Sequence, residues 1–455
     1  SWVGWLLLGA YCALYLGAFT WLAAWMLPGA SRARMGGRLG LLISLPALWV
    51  GCEYVRATLF SGFPWNALGA SQTLQLPLIQ SAAWGGVYAV SYLIVLINTA
   101  LVLSLLSLSR SAARWSALWP LLLALGVLGL AWQGGRSALR QLDQQPPGAP
   151  LALALVQLNV PQFEKMVLEE GGALIEERLR RITRQSIQDA QPELVVWPET
   201  AVPEFVRGTP STEQLIEDLL QEGVPLLVGA MDYAPTNGTL QYFNSSFLFA
   251  PQRGLIGEYR KRHLVVFGET VPLSDSFPFL RRLTPIEESF TARKSPVVMR
   301  LDASARAFAV LICFEDTVAA LAREAVAVGA RLLINQTNDA WFDPSWASRQ
   351  HMLQCVWRCV ENRVPAARSS NTGVTCCIDR LGRITGLLAP AQGANPEPAS
   401  VTQIVHLPGP EMPLTFYTRY GDLFAQSCLL SLCWPLLWAG RRRRGSAAAQ
   451  PEIGG

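Results

Sequence analysis

A thiol, an ammonium group and a carboxylate each lie at or beside an apolar, strand-like run of this chain. Cys313 follows the run 307–312 and is itself followed by Phe-Glu, a pattern typical of a strand that ends in a sharp turn. Glu199 ends the segment 194–199, and Lys261 lies between two arginines beside a β-type segment. The three residues are therefore candidates for one reactive site.

The chemistry that fits these residue types is acyl transfer through a thioester. A free thiol has a pKa of ~8.5 and is mostly protonated at neutral pH, so a cysteine nucleophile needs a base or a cation beside it. We assign Cys313 as the nucleophile, Glu199 as the base and Lys261 as the cation that stabilises the oxyanion. Taken singly, each residue has an ordinary alternative: a buried cysteine, a solvated lysine and a carboxylate at a helix N-terminus.

Two further glutamates lie close in sequence to these residues. Glu269 is eight residues beyond Lys261 and is placed to orient the lysine or to share its charge. Glu315 is two residues beyond Cys313 and is placed to tune the site. We predict supporting roles for both, the alternative being a solvated or capping carboxylate.

The composition predicts a membrane protein. The 455 residues are 51% hydrophobic and 15% charged, which is too apolar for an ordinary soluble protein of this size. A membrane span needs ~20 mainly apolar residues. Five spans are predicted, at 2–27, 39–54, 87–108, 118–132 and 423–438. The resulting domains are a transmembrane helical domain at 1–134 (about four spans), an inserted domain at 150–412, a C-terminal transmembrane helix at 421–440 and a basic cytoplasmic tail at 441–455.

The placement of arginine predicts the orientation in the membrane. Arginines cluster at 32–38, 110–114 and 441–444, and five crossings put all three clusters on one face. That face is expected to be cytoplasmic, because basic residues are retained on the cytoplasmic side. The loop 60–81 and the large insert then lie on the extracytoplasmic side. The net charge of +4 is thus a topology signal, and no basic stripe predicts a nucleic-acid partner.

The insert alternates strands with amphipathic helices, which predicts a layered α/β domain. A hairpin-like pair is expected at 374–388. The segment 272–300, with Phe277 and Phe290, is predicted to be a mobile apolar flap facing the bilayer, or else an ordinary covered loop. The predicted strands are 151–158, 194–197, 226–230, 243–249, 307–312, 332–335, 374–378 and 384–388. The predicted helices are 174–190, 212–221, 318–328 and 350–362.

The cysteines and histidines do not predict a metal site. Nine cysteines show no paired spacing, and the chain has three histidines. Cys355, Cys359, Cys376 and Cys377 are expected to be core residues, although an extracytoplasmic domain leaves a disulfide open. No metal and no soluble cofactor is predicted.

Specific phrases of the chain resemble a known family. Trp197-Pro-Glu199, Lys261 with Gly268-Glu269, and Cys313-Phe-Glu315 are similar to the three signatures of the nitrilase, or carbon-nitrogen hydrolase, superfamily. That resemblance implies an α-β-β-α sandwich with a Glu-Lys-Cys triad. Further phrases resemble the apolipoprotein N-acyltransferase family; they lie at 156–162, 197–203, 263–269, 338–342 and 370–375, and at 62–65 after Glu53 and Arg56.

Some positions depart from this family. It usually has Pro where this chain has Val266, often Trp where it has Met166, and commonly Gly where it has Asp343. None of these removes a residue of the predicted triad, and Met166 bears only on how its loop contacts lipid. The family usually carries two or three further spans before the position of Ser1, which predicts that residues are missing there.

The resemblance implies a reaction and its partners. A phospholipid would give its acyl chain to Cys313, and the α-amino group of a diacylglyceryl-modified apolipoprotein would accept it, in the bacterial inner (cytoplasmic) membrane with the inserted domain on the periplasmic side. A membrane-anchored amidase or nitrilase is the alternative with the same triad. A transporter or non-catalytic scaffold is a third, in which intramembrane charges such as Glu53 and Arg56 would mark a substrate path.

Overall fold

The structure is a computed structural model in which the chain divides into two compact units, residues 1–144 with 420–455 and residues 145–419. The predicted insert, 150–412, falls within the second unit. The described residues are 2–27, 35–108, 117–161, 168–202, 204–236, 239–272, 274, 276–277, 279, 289–302, 306–342, 345–388 and 397–432.

The α-helices of the described residues are numbered in chain order. They are α1 (Trp2–Met26), α2 (Met35–Thr58), α3 (Leu76–Ile79), α4 (Ala82–Leu108), α5 (Trp119–Asp143), α6 (Leu168–Ala190), α7 (Pro210–Leu220), α8 (Ala319–Ala327), α9 (Ala347–Asn362), α10 (Phe416–Tyr420) and α11 (Leu423–Ser431).

The strands of the described residues all lie in the second unit. They are β1 (Ala149–Gln157), β2 (Leu194–Val196), β3 (Leu226–Thr236), β4 (Thr239–Ala250), β5 (Gly254–Arg260), β6 (Met299–Arg300), β7 (Ala307–Ile312), β8 (Leu332–Thr337), β9 (Ala366–Ser370), β10 (Thr375–Ile378), β11 (Ile384–Leu388) and β12 (Ala399–Leu407).

The described part of the first unit is helical, and most of it lies in long apolar helices. Among the described residues, three helices are long and apolar enough to cross a membrane: Gly4–Met26, Met35–Ser61 and Ala82–Leu108. They correspond to the first three predicted spans. The fourth predicted span lies in α5, which continues to Asp143 through two arginines and is not among the three. The fifth predicted span is described only as far as residue 432, so its remainder lies outside the described residues.

The connection after α2 is held by the charged pair that the sequence places inside the first unit. A Glu53 carboxylate oxygen accepts the backbone N–H of Leu68 at 2.6 Å, and the Arg56 guanidinium donates to the carbonyl of Trp65 at 3.0 Å. Gly62 has φ +78°, and a Cβ there would lie 1.9 Å from the Ala57 carbonyl oxygen. This turn therefore requires glycine, which explains the first residue of the phrase at 62–65.

The second unit contains two six-stranded sheets. Their strand orders are β12-β1-β2-β3-β4-β5 and β11-β10-β9-β8-β7-β6. The central pairs β1–β2–β3 and β7–β8–β9 are parallel, and the outer pairs are antiparallel. Parallel strands buried on both faces are near-continuous apolar runs, and β7 is such a run, Ala-Phe-Ala-Val-Leu-Ile, with every residue buried.

The two sheets face each other and are covered by helices. One core lies between the sheets, where Leu153 and Leu155 of β1 are in the same cluster as Val310 and Ile312 of β7. A second core lies between the first sheet and the apolar face of α6, which buries Leu179. Alternate residues of β1 enter the two cores because side chains alternate across a strand. The predicted α-β-β-α sandwich is confirmed.

Some strands have no counterpart among the predicted elements. β9 has the sequence Ala-Ala-Arg-Ser-Ser, which lacks apolar alternation, yet all five residues are buried. It forms a strand because it pairs with β8 on one side and β10 on the other. β12 is paired along nine residues of β1. Pairing with neighbours outweighs local propensity in both strands.

Candidate active site

The three predicted catalytic residues all lie just after strands. Glu199 comes three residues after β2, Lys261 directly follows β5 and Cys313 directly follows β7. The Lys261 ammonium nitrogen lies 3.7 Å from Glu199 Oε1, and the charges of Glu199 and Lys261 both act on the Cys313 thiol. The structure thus brings together three side chains that are separated by many residues in sequence. With Glu269 they are called the active-site group below.

The backbone around Glu199 is fixed by a close approach of β3 to the segment that follows β2. A Cβ at Gly229 of β3 would lie 2.2 Å from the Pro198 carbonyl oxygen, so only glycine permits this packing. The Glu199 carboxylate is buried and accepts two hydrogen bonds, from the side-chain amide of Asn244 at 2.8 Å and from the backbone N–H of Asn338 at 2.9 Å. Both partners are hydrogen-bond donors, so the oxygens of the Glu199 carboxylate act as hydrogen-bond acceptors in both contacts.

Lys261 is a fully buried cation held by Glu269. Its side chain is 1% exposed, and its ammonium donates to Glu269 Oε1 at 2.8 Å. Burial by itself would lower the pKa of Lys261, but the charges of Glu269 and Glu199 outweigh burial and hold this pKa above its ordinary value. An ammonium has three donors, so Lys261 can bind a further anionic oxygen.

Glu269 is the partner that orients the lysine. Its carboxylate also accepts the backbone N–H of Val265 at 2.9 Å and the amide of Asn244 at 3.1 Å. Burial raises the pKa of Glu269, but Lys261 and these donors lower it below its ordinary value. This geometry agrees with the first of the two roles predicted for Glu269; the catalytic importance of the residue stays a prediction.

Cys313 lies on a strained turn. Its φ is +53°, a left-handed conformation that a residue with a side chain rarely adopts. The turn continues as a 3₁₀ segment to Thr317, and the amide of Asn335 donates to the Cys313 carbonyl at 3.1 Å. Such conformations cost on the order of 1 kcal/mol and persist only where surrounding contacts enforce them.

The electrostatics of the site keep Cys313 protonated at rest. Burial raises the pKa of the Cys313 thiol, the charge of Glu199 raises it further, and Lys261 opposes both without cancelling them. The thiolate is therefore scarce at neutral pH, and a nucleophilic thiolate at this position would have to form by proton transfer to a base. A carboxylate in the same group supplies the acceptor that this transfer needs.

Glu315 connects two segments of the site. The residue is completely buried, and its carboxylate accepts four hydrogen bonds. The donors are the Tyr259 hydroxyl at 2.8 Å and the backbone N–H groups of Arg262, His263 and Ile312 at 2.6, 3.0 and 2.7 Å. Burial raises the pKa of Glu315, and the backbone donors oppose this rise. Glu315 thus joins the loop that follows Lys261, called the lysine loop below, to the turn that begins at Cys313, called the cysteine turn.

The polar residues that orient these side chains are not among the residues predicted from the sequence. Asn244 bonds both Glu199 and Glu269 from within β4. Asn335 holds the Cys313 carbonyl from within β8. The usable signal was the presence of amide side chains inside otherwise apolar strands, because a buried polar group requires a partner.

Other predicted features are only partly described. Phe277 is 51% exposed and Phe290 forms a bridge with Tyr242, but much of the predicted flap at 272–300 lies outside the described residues, as do Met166 and Asp343. The four cysteines at 355, 359, 376 and 377 are buried free thiols. Within the described ranges, no group of three or more potential ligands could hold a metal ion.

Comparison with known proteins gives the family. Residues 152–401 match the family described as carbon-nitrogen hydrolase, and residues 1–100 match the apolipoprotein N-acyltransferase N-terminal domain. A relative from Geobacter metallireducens named apolipoprotein N-acyltransferase is 37% identical over 414 residues, which are 89% of this chain and 75% of the relative. One of the same name from Methylococcus capsulatus is 32% identical over 404 residues, 86% of this chain and 76% of the relative.

Among solved structures, Nit3 of Saccharomyces cerevisiae, a member of branch 10 of the nitrilase superfamily, is similar to part of this chain. It is 18% identical with a TM-score of 0.42, over 57% of this chain and 91% of Nit3. The family matches confirm both resemblances predicted from the sequence phrases. The chain belongs to the apolipoprotein N-acyltransferase family, and residues 152–401 belong to the carbon-nitrogen hydrolases.

Proposed function

We propose that this protein transfers an acyl chain from a membrane phospholipid, through a thioester on Cys313, to the α-amino group of the diacylglyceryl-modified N-terminal cysteine of bacterial apolipoproteins. The observation that carries the proposal is a partly buried thiol on a strained turn beside the Glu199–Lys261 pair. Membership of the apolipoprotein N-acyltransferase family supports an apolipoprotein as the acceptor of the acyl chain. The three helices long enough to cross a membrane support a lipid donor.

In the first half-reaction, Glu199 removes the proton of the Cys313 thiol as sulfur attacks the ester carbonyl. The carbonyl oxygen becomes an oxyanion, and the Lys261 ammonium stabilises it. When the intermediate collapses, the carbon–oxygen ester bond breaks and Glu199 returns the proton to the leaving oxygen. A lysophospholipid departs, and Cys313 carries the acyl chain as a thioester.

In the second half-reaction, the neutral α-amino group of the acceptor attacks the thioester carbonyl. Glu199 takes a proton from the attacking nitrogen, and Lys261 again stabilises the oxyanion. The carbon–sulfur bond then breaks, and the proton passes from Glu199 to sulfur. An amide is formed, and the site returns to its starting protonation state. The three side chains supply every proton and charge that these steps need.

A membrane-anchored carbon-nitrogen hydrolase would use the same residues. Water would then replace the amine in the second half-reaction. The helices α1, α2 and α4 have no use in hydrolysis of a small soluble amide, and the curated relatives named above are N-acyltransferases. We therefore favour transfer.

Intact mass of the purified protein tests this proposal. After incubation with phospholipid, we expect the mass of the protein to increase by one acyl chain. Hydroxylamine should remove this chain. An acceptor lipopeptide should also remove it, and the N-acyl lipopeptide should form. Cys313→Ala should show neither, whereas Cys12→Ala, which removes another partly exposed thiol, should behave as wild type. Acyl product from Cys313→Ala at the wild-type level would overturn the mechanism, and hydrolysis without transfer would favour the hydrolase.

We further propose that the second unit lies outside the cytoplasm, in the bacterial inner membrane. The support is the distribution of arginines in the three clusters at 32–38, 110–114 and 441–444. Of these arginines, Arg38 is described, and the others lie outside the described residues. In a background without the other accessible thiols, Gln221→Cys should react with a membrane-impermeant maleimide in intact spheroplasts. Met35→Cys, which replaces a 71% exposed side chain at the start of α2, should react only after lysis. The reverse pattern would refute this orientation.

A further inference from the structure

A second group of charges lies in the second unit, under the turn that carries Cys313. It comprises Asp316, Asp339, His351 and Arg368, is called the buried ion cluster, and has no part in the steps above. All four residues are completely buried. Arg368 Nη1 lies 2.7 Å from Asp316 Oδ2 and Nη2 lies 2.8 Å from Asp339 Oδ2. The two nitrogens of His351 lie 2.9 Å from the same two carboxylates.

This cluster is costly to maintain for stability alone. Removing charges from water costs several kcal/mol per ion, and well-packed apolar residues often serve a core equally well. Four buried charges in one place therefore call for a role that an apolar core cannot perform. Fixing the orientation of several segments is such a role, because ion pairs and hydrogen bonds are directional.

One arm of the cluster reaches the nucleophile. Arg368 Nη1 also donates to Asn335 Oδ1 at 2.5 Å, and the amide nitrogen of Asn335 donates to the Cys313 carbonyl at 3.1 Å. Asp316 belongs to the 3₁₀ turn that Cys313 begins. The guanidinium thus holds this turn at two points, and these contacts are of the kind that a residue at φ +53° requires.

The other arm of the cluster reaches the base. Asp339 directly follows Asn338, whose backbone N–H donates to Glu199 Oε2 at 2.9 Å. The carboxylate of Asp339 is fixed by Arg368 from one side and His351 from the other. The position of the loop that holds Glu199 therefore depends on the same guanidinium that holds the cysteine turn.

We propose that Arg368 is a positioning residue for acyl transfer, which fixes the turn of Cys313 and the loop that holds Glu199 relative to each other. The proposal rests on the function proposed above. Arginine suits this task because its planar group presents donors in fixed directions to Asp316, Asp339 and Asn335 at once. A lysine carries the same charge but concentrates it at one point, so it cannot span the three acceptors.

Arg368→Lys separates positioning from charge. We expect a folded, membrane-inserted protein in which acyl-adduct formation is about 10²-fold slower, because small displacements of reacting groups cost that much, while KM for phospholipid is unchanged. Leu179→Ala is the stability control, since it removes buried contacts from α6 in the other core. The two variants are compared at conditions where each has lost the same amount of melting temperature. If Leu179→Ala then slows the reaction as much as Arg368→Lys does, the proposal is wrong. A wild-type rate in Arg368→Lys also overturns it.

Asn335→Ala keeps all four charges and removes the arm to Cys313, together with the hydrogen bond that Asn335 donates to the Leu311 carbonyl at 3.1 Å. We expect it to slow adduct formation roughly tenfold, and a wild-type rate would contradict the proposed path. This variant keeps the test decisive if Arg368→Lys fails to fold.

Alkylation of Cys313 by iodoacetamide gives a readout that needs no phospholipid. The pH midpoint of this alkylation should move to lower pH in Arg368→Lys. The charge of Glu199 raises the pKa of the Cys313 thiol, and the substitution should displace Glu199. The midpoint should stay unchanged in Leu179→Ala; an equal shift in both variants would refute positioning. A wild-type protein that alkylates in this way but never acylates would refute the proposed function and leave the positioning result standing.

Discussion

The active-site group and the buried ion cluster lie in the same unit and differ in their charge balance. The active-site group holds two carboxylates and one cation beside a neutral thiol. The buried ion cluster holds two carboxylates and an arginine, together with a histidine whose pKa is raised to about 9. At neutral pH the first group has an excess negative charge, and the second is balanced.

This difference matches what each group must do. An unbalanced site keeps one carboxylate ready to accept a proton, and it holds the thiol in its protonated form until substrate arrives. In the buried ion cluster, the pKa of His351, at about 9, lies above neutral pH, so we expect the cluster to keep its charges through a catalytic cycle. We therefore expect chemistry at the first group and positioning at the second, and each of the following substitutions tests that expectation.

The largest effect is expected from removal of the excess charge. Glu199→Gln keeps the shape of the side chain but removes the base, so the single-turnover rate of adduct formation should fall ~10²–10⁴-fold. The control is Glu204→Gln, an exposed carboxylate close in sequence, which should act as wild type. If Glu199→Gln reacts within tenfold of wild type, the excess carboxylate is not the base.

A smaller loss is expected when the cation is kept but reshaped. Lys261→Arg retains the charge, but a guanidinium is planar and bulky and does not fit a fully buried ammonium site. Loss of oxyanion stabilisation should slow turnover about 10²-fold. Arg262 pairs with Glu324 instead, so Arg262→Ala should cost far less in the same assay. A larger loss from Arg262→Ala would identify it as the functional cation.

The smallest effect on activity, and a distinct effect on stability, is expected from His351. Burial lowers the pKa of His351, but Asp316 and Asp339 outweigh burial and the nearby Arg368, and the pKa rises to about 9. Because the folded pKa lies above the ordinary value of 6.5, the stabilisation is complete below pH 6.5 and is lost as the pH rises through 9. The loss amounts to roughly 3 kcal/mol.

His351→Gln should therefore flatten the fall in melting temperature between pH 6.5 and 9. The measurement is thermal unfolding of the full chain in detergent across this range, with wild type compared directly. Equal slopes for the two proteins would show that His351 is neutral in the folded state and that the buried ion cluster is not balanced.

The sequence predicts the active-site group better than the buried ion cluster, for a physical reason. Cys313 and Glu199 follow strongly apolar runs, so the strand that delivers each one is visible locally. Arg368 lies in a polar strand, and its partners come from two other strand ends and a helix. Such a charge is indistinguishable from a solvated arginine until its neighbours are known.

The same contrast between local sequence patterns and distant contacts applies to the fold. The four layers and most strands are predictable because apolar runs alternate with amphipathic helices such as α6. β9 and β12 are not, because each is defined by pairing with distant segments. The catalytic roles of Glu199, Lys261 and Cys313 remain predictions that the substitutions above decide. The supporting roles of Glu269 and Glu315 also remain predictions.

The brace formed by Glu315 has a consequence for substrate length. Because one carboxylate accepts hydrogen bonds from both the lysine loop and the cysteine turn, it holds the two segments together. A longer or shorter acyl chain can displace the surrounding loops without altering the separation of ammonium and sulfur. We therefore expect chain length to alter how tightly a lipid is held and to leave the speed of bond exchange nearly constant.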